Sequence, residues 1–490
     1  MSVWDSNSSA RTRGPVASKL VIGVIVAAVF MTNLDLWIVN VALPAIGFSF
    51  AGAAGNASLP NLASLSWVLN GYAVALAALL IVAGRLGDRI GHRRVFLIGI
   101  AVFTVASAIC AAAPNLPLLV AARVVQAIGA AAQLPTSLAL MMASVPPAKR
   151  ATAARGWAAV GGLAAASGPV IGGLLIELSW RWVFVVNLPI GMVSLVIGAK
   201  LLPHPAARER EPWPDLFGAA LVTVAIAALT GALVQAPAWG WASPRIGGLL
   251  GLAVLAGAVF VRRCARHRYP LLELSLFRVR QFSMANLAVF VFSIAFGIML
   301  LSNVLWCQDV WHYSALRTGF AMVPGPFLVP IVTILTVRAM HRYGPGRLAA
   351  VGSVFFAASM LWRVLFSQVD RNYLHDLLPS MILGGIGVGL GLGSLIAAGV
   401  TGLPADRSAT GSAVVNAGRQ IAGAVGVALL VTLLGTQVDA SSVSGFRSAW
   451  WLAFGLSLGA AALALTLRHV PVIRAKSTSI ASRSEMTNVH

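Results

Sequence analysis

The chain has 490 residues, of which 58% are hydrophobic and only 10% charged, and its net charge is +21. Soluble globular proteins run at about 45–50% apolar and about 25% charged, so this chain lacks the polar surface to be a water-soluble monomer and a bilayer must serve as its solvent. A charge of +21 in a soluble protein would point to nucleic acid, and the placement of the charges along the chain decides against that.

Met1 to Ser18 is short and polar and contains Arg11 and Arg13. The apolar stretch that follows, Leu20 to Ile46, is far longer than the core of a cleaved leader, about 7–15 residues, and is expected to be a retained spanning helix. A spanning helix needs about 20 mainly apolar residues. Fourteen such runs follow one another: roughly 20–46, 62–84, 95–113, 117–142, 152–178, 181–202, 216–236, 246–261, 282–308, 318–340, 347–367, 377–402, 411–437 and 448–468, the eighth being the shortest. With the N-terminus inside and strict alternation, only Arg181, Arg245, Arg317, Arg371 and Arg447 of the 35 Lys and Arg fall outside. Arg123 and Arg363 fall within spans, and all the others lie in the even-numbered connections or the tails. Cytoplasmic loops carry the Lys/Arg excess, and one helix more or fewer in mid-chain would invert the bias of everything after it. Fourteen helices with both ends inside are therefore expected, and the positive charge becomes a topology signal suited to an anionic leaflet.

The runs group as six, two and six. The expected division is a tail over 1–19, a six-helix bundle over 20–202, a linker with two extra helices over 203–281, a second bundle over 282–468 and a tail over 469–490. Pro203–Pro214, with Glu209 and Glu211, and Arg262–Arg280 bound the middle pair. Internal symmetry is faint. A glycine-arginine stretch follows the second run, and a thinner one, His341-Arg342-Tyr343-Gly344-Pro345-Gly346-Arg347, follows the tenth.

Between the second and third runs stands Gly84-Arg85-Leu86-Gly87-Asp88-Arg89-Ile90-Gly91-His92-Arg93-Arg94. Glycines allow tight turns and close approach, and Asp88 can accept from a helix N-terminus or pair with an arginine. Such a cluster can latch one conformation, or it is an ordinary basic turn. Asp35 is the deepest acid in any of the runs. A carboxylate there is expensive unless paired or protonated, which suits either a proton carrier or a satisfied structural group. Asn33 and Asn40 on the same run could touch a substrate. Arg123, in the fourth run with Gln126, must face a cavity or a partner, for proton transfer or as a structural ion pair. Gly168-Pro169-Val170-Ile171-Gly172-Gly173 combines close packing with a proline bend. Arg363 has no evident partner, and Arg419 could snorkel to the inner surface. Glu177, Asp309 and His312 read as rim residues. Trp306, Trp311, Tyr313, Trp450 and Trp451, near proposed helix ends, read as an interfacial belt.

The Gly84–Arg94 block resembles the loop signature of the major facilitator superfamily. Leu34-Asp35-Leu36-Trp37-Ile38-Val39-Asn40-Val41-Ala42-Leu43-Pro44 is similar to the first-helix signature of its fourteen-helix drug:proton antiporter branch, with Trp37 where a small hydroxyl residue is usual. Ser179-Trp180-Arg181-Trp182-Val183-Phe184 with Asn187-Leu188-Pro189-Ile190-Gly191 resembles that branch's helix 5–6 turn. Asn416, Gly418, Arg419 and Gln420 resemble part of its thirteenth helix. The Gly168–Gly173 block resembles the antiporter signature, with Ala164 in place of a glycine. Arg123, Gln126 and Gly129 resemble another family block, with Ala127 in place of a glycine. The resemblance implies an all-α polytopic fold of two six-helix bundles with two extra central helices. It further implies proton-coupled export of small, largely apolar compounds by a monomer in the cytoplasmic membrane. Asp35 and Arg123 would couple protons, the Asp88 block would latch, and Asn33, Asn40, Gln126, Asn416, Arg419 and Gln420 would line the pathway. A proton-coupled transporter of a physiological lipid or metabolite is the alternative, and a receptor or enzyme on the same scaffold a remoter one.

No lysine follows a glycine, so a phosphate-binding Gly-Lys-Ser/Thr loop is impossible, and no histidine is followed by glutamate, which removes the HExxH zinc motif. Cys110, Cys264 and Cys307 are scattered and form neither a disulfide framework nor a zinc site. Gly455-Leu456-Ser457-Leu458-Gly459 fits a hydrolase pattern but lies in an apolar run without the strand–turn–helix context. No enzyme, metal or cofactor is expected.

Overall fold

A computed structural model describes residues 15–53, 61–146, 149–203, 213–401, 403, 408–435 and 442–467. Arg11, Arg13, Glu209, Glu211, Arg407 and most of both expected tails lie outside the described residues. Among these residues, fourteen helices are long and apolar enough to cross a membrane. In chain order they are α1 (Lys19–Ala51), α2 (Leu62–Ile90), α3 (His92–Ala112), α4 (Leu116–Ser144), α5 (Ala159–Leu178), α6 (Trp182–Leu201), α7 (Leu216–Trp239), α8 (Pro244–Arg266), α9 (Arg280–Val310), α10 (Ala315–Leu335), α11 (Pro345–Phe366), α12 (Tyr373–Gly399), α13 (Gly411–Leu434) and α14 (Val443–Leu465). No strand occurs among the described residues.

Several helices begin on a side-chain cap. Asn61 accepts from the Ser64 amide at 2.8 Å, Asn115 from Leu118 at 3.0 Å and Asp215 from Gly218 at 2.8 Å. Each side chain satisfies a backbone donor that has no partner within its own helix, which matters more in lipid than in water.

The ends differ from the sequence expectation in two places. The eighth span is a full-length helix of 23 residues. The glycine-arginine block is not an open loop, because α2 runs straight through it to Ile90 and only Gly91, at φ 100°, breaks the chain before α3 starts. Its interior glycines lie against α4. A Cβ on Gly84 would stand 3.6 Å from Pro135, and one on Gly87 only 2.9 Å from Thr136. Close helix packing therefore holds the glycines in helical form against their weak intrinsic propensity. Gly344, at φ 82°, makes the matching turn between α10 and α11.

The packing repeats with an offset of eight helices. Contacts of α1 with α5 and α6, of α4 with α2 and α3, and of α3 with α6 recur between α9 and α13/α14, α12 and α10/α11, and α11 and α14. The halves are thus related folds, each a six-helix bundle, and they meet along α2–α13 and α5–α10, which the same offset interchanges. The pair α7–α8 sits outside, with α7 packed on α2 and α13 and α8 mostly on α7. Gly455–Gly459 lies within α14, as expected of a chance match.

Candidate functional site

Five helices converge on Asp35. Its side chain is fully buried in α1. The Arg123 guanidinium of α4 donates to Asp35 Oδ2 through a charge-assisted bond. Gln126 Nε2 donates to Oδ1 at 3.0 Å and Asn187 Nδ2 of α6 at 3.3 Å. Ser107 of α3 accepts from both amides, at 2.8 and 3.5 Å. Arg123 also donates to Gln126 Oε1 at 2.6 Å and, through Nε, to the Val68 carbonyl of α2 at 3.3 Å. Its Cζ lies 4.1 Å from the Tyr72 ring centre. A buried charge pair offsets its desolvation only with such supporting bonds, and here Arg123 and Gln126 sit one helical turn apart so that both reach the same carboxylate.

Of the residues expected to act on protons, Asp35 and Arg123 are thus brought together as one buried pair. Gln126, expected on the substrate pathway, belongs to this pair instead. Asn187, Ser107 and Tyr72 complete it. The sequence offered no signal for Ser107 and Tyr72, and Asn187 was visible only inside the helix 5–6 turn block.

A cavity of about 390 Å³ lies between the two bundles. Asn33, Asn40, Arg419 and Gln420 line it, together with Asn70, Arg123, Ser293 and Asn303. Asp35 does not reach its wall; Arg123 stands between them. Asn416 is not on the wall and donates back to the Ser412 carbonyl at 2.9 Å. Arg419 does not snorkel away but turns into the cavity, because α13 presents it on the face that meets the N-terminal bundle.

The cavity is shut at the end away from Asp88. Gln308 of α9 donates to the Val41 carbonyl of α1 at 3.0 Å. Pro169 and the glycines of α5 lie where α10 crosses: a Cβ on Gly173 would fall 2.7 Å from the Ala315 carbonyl oxygen, and one on Gly319 2.3 Å from that of Pro169. Gly168 and Gly172 make the same kind of room for α1, at Trp37 and Ile38. Trp37 meets Phe296 of α9 edge to face at 5.9 Å.

At the other end, Asp88 lies 3.2 Å from His92 Nε2 across one turn and contacts no arginine among the described residues. Arg93 donates to the Ala199 carbonyl at the end of α6, and Arg94 is exposed. Arg85 lies 3.9 Å from Glu273, and Arg89 stacks over Trp213 at 4.3 Å, so this block is tied to the extra-helix segment.

One expectation fails at the opposite end. Trp306, Trp311 and Trp450 are fully buried and Tyr313 nearly so, leaving only Trp451, 49% exposed, in a belt position. The buried tryptophans enclose Arg363, whose guanidinium lies 4.4 Å from the Trp450 ring and 5.3 Å from that of Trp306. The partner that Arg363 lacked in the sequence is this pair of aromatic faces. Asp376, just beyond the expected twelfth run, is, like Asp215, another buried acid. It accepts from the Gln368 amide at 3.2 Å and lies 3.1 Å from His375 Nδ1.

The comparisons agree with this architecture. The sequence model of the Major Facilitator Superfamily matches residues 25–427. The chain is 32% identical over 419 residues to the tetracenomycin C resistance and export protein of Streptomyces glaucescens, covering 84% of this chain and 75% of that one. It is 34% identical over 416 residues to the multidrug resistance protein Stp of Mycobacterium tuberculosis, with the same shares covered. Among solved structures, a D-xylose–proton symporter superposes with a TM-score of 0.66 at 13% identity, covering 92% of this chain and 97% of that one. A continuous family match, fourteen spans and two bundles related by an offset of eight helices place this chain in the major facilitator superfamily.

Proposed function

We propose that this protein is a proton-driven exporter of small, largely apolar compounds, working as a monomer in the cytoplasmic membrane. The Asp88 end, which carries the Lys/Arg excess, is its cytoplasmic face. The observation that carries the reading is the buried Asp35–Arg123 pair behind the wall of a cavity shared by both bundles. A carboxylate so placed can take a proton only at the expense of its bond to Arg123, and Arg123 faces the cavity. Protonation is thereby linked to the cavity's shape and charge without the proton and the substrate sharing one group. Coupling is then conformational, not a competition at Asp35. The names of the export and multidrug-resistance relatives support the direction and the substrate class, and the enclosure of the cavity by a single chain supports the monomer. The seal at the far end makes this the state that loads from the cytoplasm.

Proteoliposomes holding a pH gradient test this. Apolar antibiotics are expected to collapse the gradient while they are pumped, and Asp35→Asn to abolish both effects while eluting as a folded monomer. Normal gradient-driven export by Asp35→Asn would remove the coupling role. Uptake only, or indifference to a drug panel, would remove the export role in favour of a physiological solute.

A further inference from the structure

We infer that the central cavity selects neutral or anionic compounds that present hydrogen-bond acceptors and rejects cationic amines, and that Arg419 holds the acceptor end. Among its lining residues there is no Asp or Glu, while two arginines are present. Arg123 is neutralised by Asp35 behind it. Among the described residues Arg419 has no ion-pair partner, and its Nε is buried without a hydrogen bond. The cavity therefore carries one net positive charge in a low-dielectric setting, where a like charge is strongly disfavoured.

The rest of the wall has the same bias toward a polar guest. Five lining residues carry a buried polar atom with no partner among the described residues: Tyr72 Oη, Ser293 Oγ, Asn70 Oδ1, Asn303 Oδ1 and Arg419 Nε. Buried polar atoms are normally paired, and several converging on one cavity mark a place where a guest supplies the partners. Three of the five, the phenol, the hydroxyl and the guanidinium, can donate. Aliphatic and aromatic neighbours such as Trp37, Phe296, Leu392 and Val427 supply the apolar remainder. A ring system bearing carbonyl, phenol or carboxylate oxygens satisfies the donors, whereas an alkylammonium finds acceptors in the amide and hydroxyl oxygens but is repelled by the uncompensated Arg419 charge. Arg419 lies two turns into α13 from the Asp88 end, so a guest entering there meets it early.

This deepens the export reading, and the test keeps the two apart. One apolar ring scaffold is prepared as carboxylate, neutral amide and primary amine. Equilibrium binding to the purified protein and export are measured for each. The carboxylate and amide are expected to bind at least tenfold more tightly than the amine. Arg419→Gln is expected to weaken the carboxylate roughly 10- to 100-fold, the range for a charged hydrogen bond. Its effect should fall on KM more than on kcat, and Arg419→Lys should restore part of the loss. Equal binding of amine and carboxylate by the wild type overturns the inference whether or not any variant folds, as does an unchanged ratio in a folded Arg419→Gln. Charge-selective binding without export would leave the inference standing and remove the export reading. Export without charge selection would do the reverse.

Discussion

Arg123 and Arg363 are both guanidinium groups buried inside membrane-spanning helices, and their surroundings give them opposite weights. Arg123 bonds to a carboxylate, an amide and a backbone carbonyl. Removing it would leave Asp35 as an uncompensated charge, which costs about 3–5 kcal/mol. Among the described residues Arg363 makes no hydrogen bond through any of its three nitrogens; it has the Trp306 and Trp450 faces, worth about 2 kcal/mol when desolvated, and feels the buried Asp376 carboxylate only through space. Thermal unfolding in detergent is expected to show Arg123→Met strongly destabilised and Arg363→Met equal to or more stable than wild type, since an apolar side chain of similar length removes a buried cation whose nitrogens make no hydrogen bond. A comparable loss in both would mean that the tryptophan sandwich holds its cation far better than ring contacts elsewhere. The same residues show where a sequence falls silent. A lone charge in an apolar run announces itself, so Asp35 and Arg123 were legible singly. Their pairing joins positions 88 residues apart, and hydroxyls or amides such as Ser107 and Asn187 are unremarkable in any run. Likewise a tryptophan near a helix end reads identically whether it meets headgroups or wraps an arginine.

At the level of helices, the count was legible because loop charge alternates with every crossing, so an error anywhere would propagate. The ends were not, because hydropathy stops at the first charged residue while α2 continues to Ile90 on its glycine contacts with α4. Glycine also decides how α5 and α10 meet. A methyl on Gly173 or Gly319 cannot fit where carbonyl oxygens stand 2.7 and 2.3 Å away, and overpacking of this kind typically costs about 1–3 kcal/mol. The cost falls on the state sealed at the Trp306 end and spares one in which the helices have parted there. Gly173→Ala and Gly319→Ala are therefore expected to raise the rate at which an impermeant thiol reagent, added from the Trp306 side, labels a cysteine at position 40. The rise should be on the order of tenfold or more. Gly455→Ala, whose new methyl meets nothing within 4 Å, serves as the control. No rise in either variant would mean that the seal lies elsewhere, with Gln308 as the next position to alter.

For the whole molecule, the offset of eight in the packing has a mechanical consequence. The interfaces α2–α13 and α5–α10 are interchanged by the internal symmetry, so both halves contribute equally to closing either end. Transporters of this build expose a midplane site alternately by rocking one half against the other. In the present state α5 and α10 touch at the Trp306 end, where Gly173 lies against Ala315 and Ile176 and Ala315 both pack on the Val41–Val304–Met322 cluster. Releasing a substrate there requires that contact to open. A disulfide between cysteines placed at Ile176 and Ala315, in a background lacking Cys110, Cys264 and Cys307, would hold it shut. Oxidation is expected to stop turnover and reduction to restore it, while binding from the Asp88 side survives throughout because the crosslink fixes only contacts at the Trp306 end. Loss of binding together with turnover would show that the crosslink distorts the cavity itself. Undiminished transport by the crosslinked protein would mean that substrate leaves by a path that does not part α5 from α10, and the two-bundle rocking mechanism would fail for this protein.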